Sequence, residues 1–207
     1  MSGTRPLLVG LTGSIGMGKT ETARMFTSLD VPVYDADAAV HRLYAYGGEA
    51  VAAIEKVFPG CVSGGQVDRA CLSENARADP SALARLEAIV HPLVMRDQEA
   101  FVAGATANGA KFVVLDVPLL FETGANAQMD VVIVVTARED VQRERVLSRR
   151  GMSEALFDLI LSRQLPDVDK RQRADFVVET DKGMGHALEQ VKRIVSELRA
   201  RRKDEDA

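Results

Sequence analysis

Eight residues constrain this 207-residue chain more than any other stretch: Gly13-Ser14-Ile15-Gly16-Met17-Gly18-Lys19-Thr20. They follow a short apolar run, Leu7–Leu11, that reads as a buried strand. They precede Lys19–Leu29, where Ala23, Met25, Phe26 and Leu29 recur at helical spacing. A strand, a glycine-rich turn and a helix, in that order, make a phosphate-binding loop. The helix N-terminus offers unpaired backbone N–H groups and a partial positive charge, both suited to phosphate. Gly13, Gly16 and Gly18 let the backbone curl around phosphate oxygens without a Cβ in the way. Lys19 reaches the β- and γ-phosphates, and the Thr20 hydroxyl binds Mg²⁺. A chance match in a chain of average composition is on the order of one in a hundred, and the flanking strand and helix make it rarer still. All eight residues are therefore candidates for holding ATP.

Strand-length apolar runs recur at Val31–Tyr34, Phe112–Val117, Asp130–Thr136 and Phe176–Val178. Between them the pattern is helical at Ala38–Tyr46, Glu49–Phe58, Pro80–Asn108, Arg138–Arg150, Ser153–Leu165 and Gly185–Arg202. Val62–Ala70, with Gly64 and Gly65, reads as a loop or weak turn. Five strands alternating with helices predict an α/β chain with a parallel five-stranded sheet covered on both faces. The helix-rich middle and the arginine-rich pair after Thr136 read as insertions at one edge of that sheet. His91-Pro92 reads as a helix bend carrying a packed imidazole, because proline removes a helix donor. Arg201–Ala207 reads as a frayed, charged tail.

Composition narrows the function classes. Hydrophobic residues make up 46% and charged residues 27% of the chain, the balance of a globular domain rather than a disordered one. With 26 basic against 30 acidic residues the net charge is −4, which argues against a nucleic-acid binder. Local arginines still allow a small anionic substrate. No stretch approaches the roughly 18 apolar residues that span a membrane, and Met1–Pro6 is polar, with no signal-peptide pattern. Cys61 and Cys71 lack metal-ligand spacing and read as reduced thiols, so the expected location is the cytoplasm.

Three further clusters point to phosphoryl transfer. Asp35-Ala36-Asp37 ends the second strand run, at the sheet edge where ligands bind in doubly wound folds. Each carboxylate fits either a base for a substrate hydroxyl or a helix N-cap, and position leaves open which does which. Asp116, after four apolar residues, fits a carboxylate that holds Mg²⁺, and equally a strand-end side chain paired with a neighbour. Pro118-Leu119-Leu120-Phe121-Glu122 follows it at once; spacing alone gives Glu122 no role, and Phe121 fits a pocket wall or core. Arg138, Arg143, Arg145, Arg149 and Arg150 crowd one helix, with Arg163, Lys170, Arg171 and Arg173 beyond it and Gly151 as a joint. Such a segment can close as a lid and neutralise a transferring phosphoryl. Glu139, Asp140 and Glu144 interleave, so most of these arginines suit a solvated face. Arg145 and one of Arg149 and Arg150 are the candidates for the phosphates.

Taken in order, these pieces resemble the dephospho-coenzyme A kinase family. The matching stretches are Gly10–Thr20, Asp35-Ala36-Asp37, His91-Pro92, Val117–Glu122, Arg149-Arg150-Gly151-Met152, Arg163-Gln164 and Ala174–Val178. The resemblance implies a three-layer P-loop NTPase fold in one kinase unit over residues 1–207. A helical acceptor-binding lobe would span about 44–108 and a lid about 138–174, with a charged tail at 201–207. It implies ATP-dependent phosphorylation of the ribose 3′-hydroxyl of dephospho-coenzyme A, with Mg²⁺. On that pattern Asp37 is the base or hydroxyl-orienting group, and Lys19 and the lid arginines stabilise the transferring phosphoryl. Thr20 and Asp116 are the metal candidates. Asp35, Asp37, His91, Leu120, Phe121 and Glu122 are the substrate-binding candidates. The implied partners are small molecules only, with neither nucleic acid nor membrane, in a monomer or weak homo-oligomer. Two departures stand out. Thr20 replaces the family's frequent serine, and Glu179-Thr180-Asp181-Lys182-Gly183 stands where the family often has Asn and Gly near the adenine. Another P-loop small-molecule or nucleotide kinase, or a nucleotide-dependent switch, stands as the alternative at this point.

Overall fold

Strand β1 (Leu7–Thr12) is central in a five-stranded sheet because every residue from Val9 to Thr12 is buried. It leads through the glycine loop into α1 (Lys19–Ser28), β2 (Val33–Asp35), α2 (Ala36–Tyr44) and α3 (Val51–Val57). A small hairpin, β3 (Val62–Ser63) and β4 (Gln66–Val67), precedes α4 (Arg69–Ala78) and the long α5 (Ala82–Ala107). The chain returns as β5 (Phe112–Asp116), a 3₁₀ turn (Ala125–Gln128) and β6 (Val131–Thr136). Three short helices follow, α6 (Glu139–Leu147), α7 (Glu154–Leu161) and α8 (Asp167–Gln172), then β7 (Phe176–Glu179) and α9 (Met184–Glu205). The structure, a computed structural model, describes the backbone of residues 5–205 and the side chains of residues 5–201.

The sheet order is β2-β5-β1-β6-β7, and β1 runs parallel to β5 and β6, as β6 does to β7. Alternation along the strands explains why the runs are apolar throughout. Val9, Leu11, Ile133 and Val135 pack with Phe26 of α1 and Val191, Ile194 and Leu198 of α9. Val132 and Val134 face the other way, onto Leu120, Phe121, Met129 and Ala174. Both faces are covered, so hydrophobic side chains are needed on both. The expected three-layer α/β fold is the observed one.

The chain divides into two compact units: Asp35–Ala103 forms one, and the segments before and after it form the other. The inserted unit begins at Asp35, immediately before α2. It has its own core of Leu43, Tyr44, Ala50, Ile54, Phe58 and Val67, with Leu72 and Val90. Helix α4 begins within the stretch expected as a loop or weak turn (Val62–Ala70) and continues through residues given no assignment; it forms because Asp68 accepts from the N–H groups of Ala70 (2.8 Å) and Cys71 (3.2 Å). Helix α5 runs through Pro92 without a break, and His91 is exposed, not packed. At the other end α9 continues to Glu205, past the point where a frayed tail was expected; residues 206–207 lie outside the described residues, as does most of Met1–Pro6.

The thiols are also corrected. Cys61 and Cys71 form a disulfide with Cα atoms 5.3 Å apart. The hairpin makes this possible: Asp68 N–H donates to Cys61 O (2.8 Å), which brings the first turn of α4 back beside Cys61. Closing a ten-residue separation removes chain entropy from the unfolded state, so reduction is expected to cost about 3 kcal/mol. Thermal melting with and without a thiol reductant measures this. A chain carrying both Cys61→Ser and Cys71→Ser serves as the reference and should show no reductant effect.

Candidate active site

The phosphate loop bridges β1 and α1 as expected, with Gly16 at φ 80° and Gly18 at φ 94°. Gly16 has a second constraint, since a Cβ there would lie 2.5 Å from Val146 Cγ2 of α6. Any larger residue must both adopt a left-handed backbone and displace that helix. Within the loop, Met17 N–H donates to Ser14 O (3.2 Å) and Ile15 N–H to Gln164 Oε1 (3.1 Å). Among the described residues the N–H groups of Gly16, Gly18, Lys19 and Thr20 have no acceptor. These donors meet the start of the helix dipole, which is what an oligophosphate requires.

Lys19 Nζ pairs with Asp116 Oδ1, both side chains largely buried. Strand-end Asp116 thus takes up the loop lysine, and the two candidates meet in one place. Thr20 is exposed at the start of α1. Its hydroxyl and the Asp116 carboxylate are oxygen donors of the kind Mg²⁺ takes alongside phosphate oxygens and water. No cluster of three or more His, Cys, Asp or Glu able to hold a metal by itself occurs among the described residues. A cavity of 860 Å³ lies beside the loop, lined by Ser14, Met17, Thr136, Gln142, Gln164 and Asp167 among others. Its size is within the range of small-ligand pockets.

The ambiguity between the two aspartates is resolved locally. Asp35 Oδ1 accepts from Ala38 N–H at 2.8 Å and is the N-cap of α2. Asp37 sits one residue into the same helix, exposed, with no partner among the described residues. Capping therefore occupies Asp35 and leaves the Asp37 carboxylate available.

The arginines separate in the same way. Arg145 is committed, donating from Nη1 to Thr180 Oγ1 and from Nη2 to Thr180 O, both at 2.8 Å. Thr180 in turn donates to Met17 O at 2.7 Å, so Arg145 braces the phosphate loop from behind. Arg143 pairs with Glu154, and Arg171 with Asp167. Arg149 and Arg150, in the turn after α6, are exposed and have no side-chain partner among the described residues.

The Leu120-Phe121-Glu122 group faces inward. Leu120 is fully buried and packs on β6, and Phe121 lies partly buried in the same cluster. Glu122 Oε1 lies 2.9 Å from Lys170 Nζ, and Lys170 is fully buried. The same oxygen accepts from Leu165 N–H at 2.8 Å. Burial alone would raise the Glu122 pKa, but Lys170 and the Leu165 N–H outweigh it and hold the carboxyl below its usual range. His91 lies in the inserted unit on the exposed side of α5.

Three residues escaped sequence reasoning. Gln142 donates to Ile15 O at 2.7 Å, Gln164 accepts from Ile15 N–H, and Thr180 joins Arg145 to the loop. Gln164 falls in a recognisable motif, but neither glutamine belongs to a pattern that announces chemistry. Only the packing of α6 and the α7–α8 connection against the loop reveals them.

A sequence model of the dephospho-CoA kinase family matches residues 7–186. A dephospho-CoA kinase of Rhodopseudomonas palustris is 52% identical over 189 residues, covering 91% of this chain and 94% of that protein. One of Agrobacterium fabrum is 53% identical over 194 residues, covering 94% and 99%. Among solved structures, a Thermus thermophilus protein is similar with a TM-score of 0.82 at 33% identity, covering 94% of this chain and 99% of that one. A dephospho-CoA kinase from Campylobacter jejuni shares the fold, with a TM-score of 0.71 at 22% identity over 92% of this chain and 96% of that one.

Proposed function

Because the chain belongs to the dephospho-CoA kinase family, we propose that it moves the γ-phosphoryl group of ATP to the ribose 3′-hydroxyl of dephospho-coenzyme A, giving coenzyme A and ADP. The observation that carries the acceptor half of this reading is the division of labour at the start of α2: Asp35 is spent on the cap, and Asp37 has no partner among the described residues. Asp37 takes the proton of the attacking hydroxyl, or aligns that hydroxyl, as the oxygen–phosphorus bond forms. The bond from the γ-phosphorus to the bridging oxygen breaks, and ADP leaves with that electron pair.

On the donor side, the open N–H groups of Gly16, Gly18, Lys19 and Thr20 cradle the phosphates. The Lys19 ammonium, paired with Asp116 in this structure, reaches the β- and γ-oxygens when a nucleotide competes for it. Arg149 and Arg150 are the lid arginines for the charge spread over the transferring group, whereas Arg145 acts indirectly by holding Thr180 and the loop. Thr20 and Asp116 would hold Mg²⁺, which supplies charge neutralisation at the phosphates when bound. The inserted unit, Asp35–Ala103, holds the acceptor. A cytoplasmic workplace belongs to the same reading through the family, not through the cysteines, which are paired.

Incubation of the protein with Mg-ATP and dephospho-coenzyme A tests the proposal, with ADP and coenzyme A followed together. The expected result is equimolar formation of both products and little ADP when the acceptor is omitted. ADP formation that ignores the acceptor, with no coenzyme A, would reject the assignment.

A further inference from the structure

Gln142 of α6 does more than pack. Its Nε2 donates to Ile15 O at 2.7 Å, and the residue is 5% exposed. Ile15 C=O and Gly16 N–H belong to one peptide plane, and in a trans peptide the two point in opposite directions. There are no cis peptides among the described residues. A side chain that draws Ile15 C=O toward α6 therefore turns Gly16 N–H away from that helix. Gly16 N–H is one of the loop donors with no acceptor among the described residues. Gly16 has no Cβ and sits at φ 80°, so its own side chain does not hold this plane in one orientation. On the preceding peptide, Gln164 Oε1 accepts from Ile15 N–H at 3.1 Å, so the plane before the hinge is fixed from a second element.

From this geometry we infer that Gln142 is a positioning residue for phosphoryl transfer: it locks the Ile15–Gly16 peptide so that the Gly16 N–H faces the nucleotide phosphates. The inference rests on the kinase reading above for the identity of the reaction. A mispointed donor weakens stabilisation of charge that develops during transfer more than it weakens binding of the whole nucleotide, which keeps its other loop contacts. Gln164 supports the same peptide pair by acceptance rather than donation.

Gln142→Met tests this, because methionine keeps roughly the length of the side chain and removes the amide that donates to Ile15 O. The expected result is a fall in kcat of about tenfold or more with KM for ATP changed by less than about threefold. Gln142→Glu adds a readout that packing does not move. Its carboxylate cannot donate to a carbonyl, but the protonated acid can, so its kcat relative to the parent should recover as pH falls toward the carboxyl pKa. A kcat for Gln142→Met within twofold of the parent overturns the inference. So does a loss that matches only the folded fraction measured by circular dichroism, or a Gln142→Glu profile parallel to the parent's. If the parent itself makes no coenzyme A, the kinase reading fails instead, and the two failures are distinct.

Discussion

Asp37→Asn is expected to lower turnover by about 10²–10⁴-fold, the usual contribution of a positioned acid–base group, while KM for ATP stays close to the parent value. The substitution is nearly isosteric and removes the negative charge that draws the hydroxyl proton. Asp37 makes no hydrogen bond or ion pair among the described residues, so little structural support is lost with it. The neighbouring aspartate supplies the control. Asp35→Asn should be almost silent, because asparagine caps a helix about as well as aspartate does. Asp35→Ala should cost about 0.5–2 kcal/mol of stability through the lost bond to Ala38 N–H, and leave turnover per folded molecule largely intact. Steady-state kinetics on the three variants, with melting curves alongside, separate the roles. Collapse of turnover in Asp35→Asn with a healthy Asp37→Asn would exchange the two assignments.

The same pair shows how far the sequence could be read. Glycines, a lysine and a hydroxyl after a strand carry their chemistry in their types and spacing, so the phosphate loop was legible at once. The inner strands were legible because burial on both faces makes their runs apolar; the edge strands β2 and β7 are only partly buried and gave shorter runs. Which aspartate caps was not legible, since both are good cap residues and the choice depends on where α2 begins. Helix α4 was hidden because Leu72 is its only buried residue and so gives little periodic signal. The six-residue α8 was hidden for a related reason: its buried member is a lysine. The disulfide required knowing that the β3–β4 hairpin returns the chain to Cys61. Gln142 is the extreme case, an uncharged polar side chain whose importance lies entirely in what faces it.

Glu122 looks from its motif like a substrate ligand, yet its carboxylate is turned onto buried Lys170. Glu122→Ala is therefore expected to destabilise the protein by about 3–5 kcal/mol, because it leaves the lysine charge buried without a counterion. Chemical denaturation at neutral pH measures this. The pH dependence follows from the sign of the Glu122 shift. Its folded-state pKa is depressed, so its contribution is present above the unfolded carboxyl value of about 4.3 and is lost as pH falls through the folded-state pKa. The stability gap between the parent and Glu122→Gln should accordingly be widest near neutrality and narrow in acid. A double variant, Glu122→Leu with Lys170→Met, removes both charges and fills the space, and it should recover most of the loss or exceed the parent. That variant also decides what Glu122 is for. Recovered stability with an unchanged KM for dephospho-coenzyme A makes the pair a fastener between the segment after β5 and helix α8. Recovered stability with a raised acceptor KM would return Glu122 to the substrate site, where its motif first suggested it belongs.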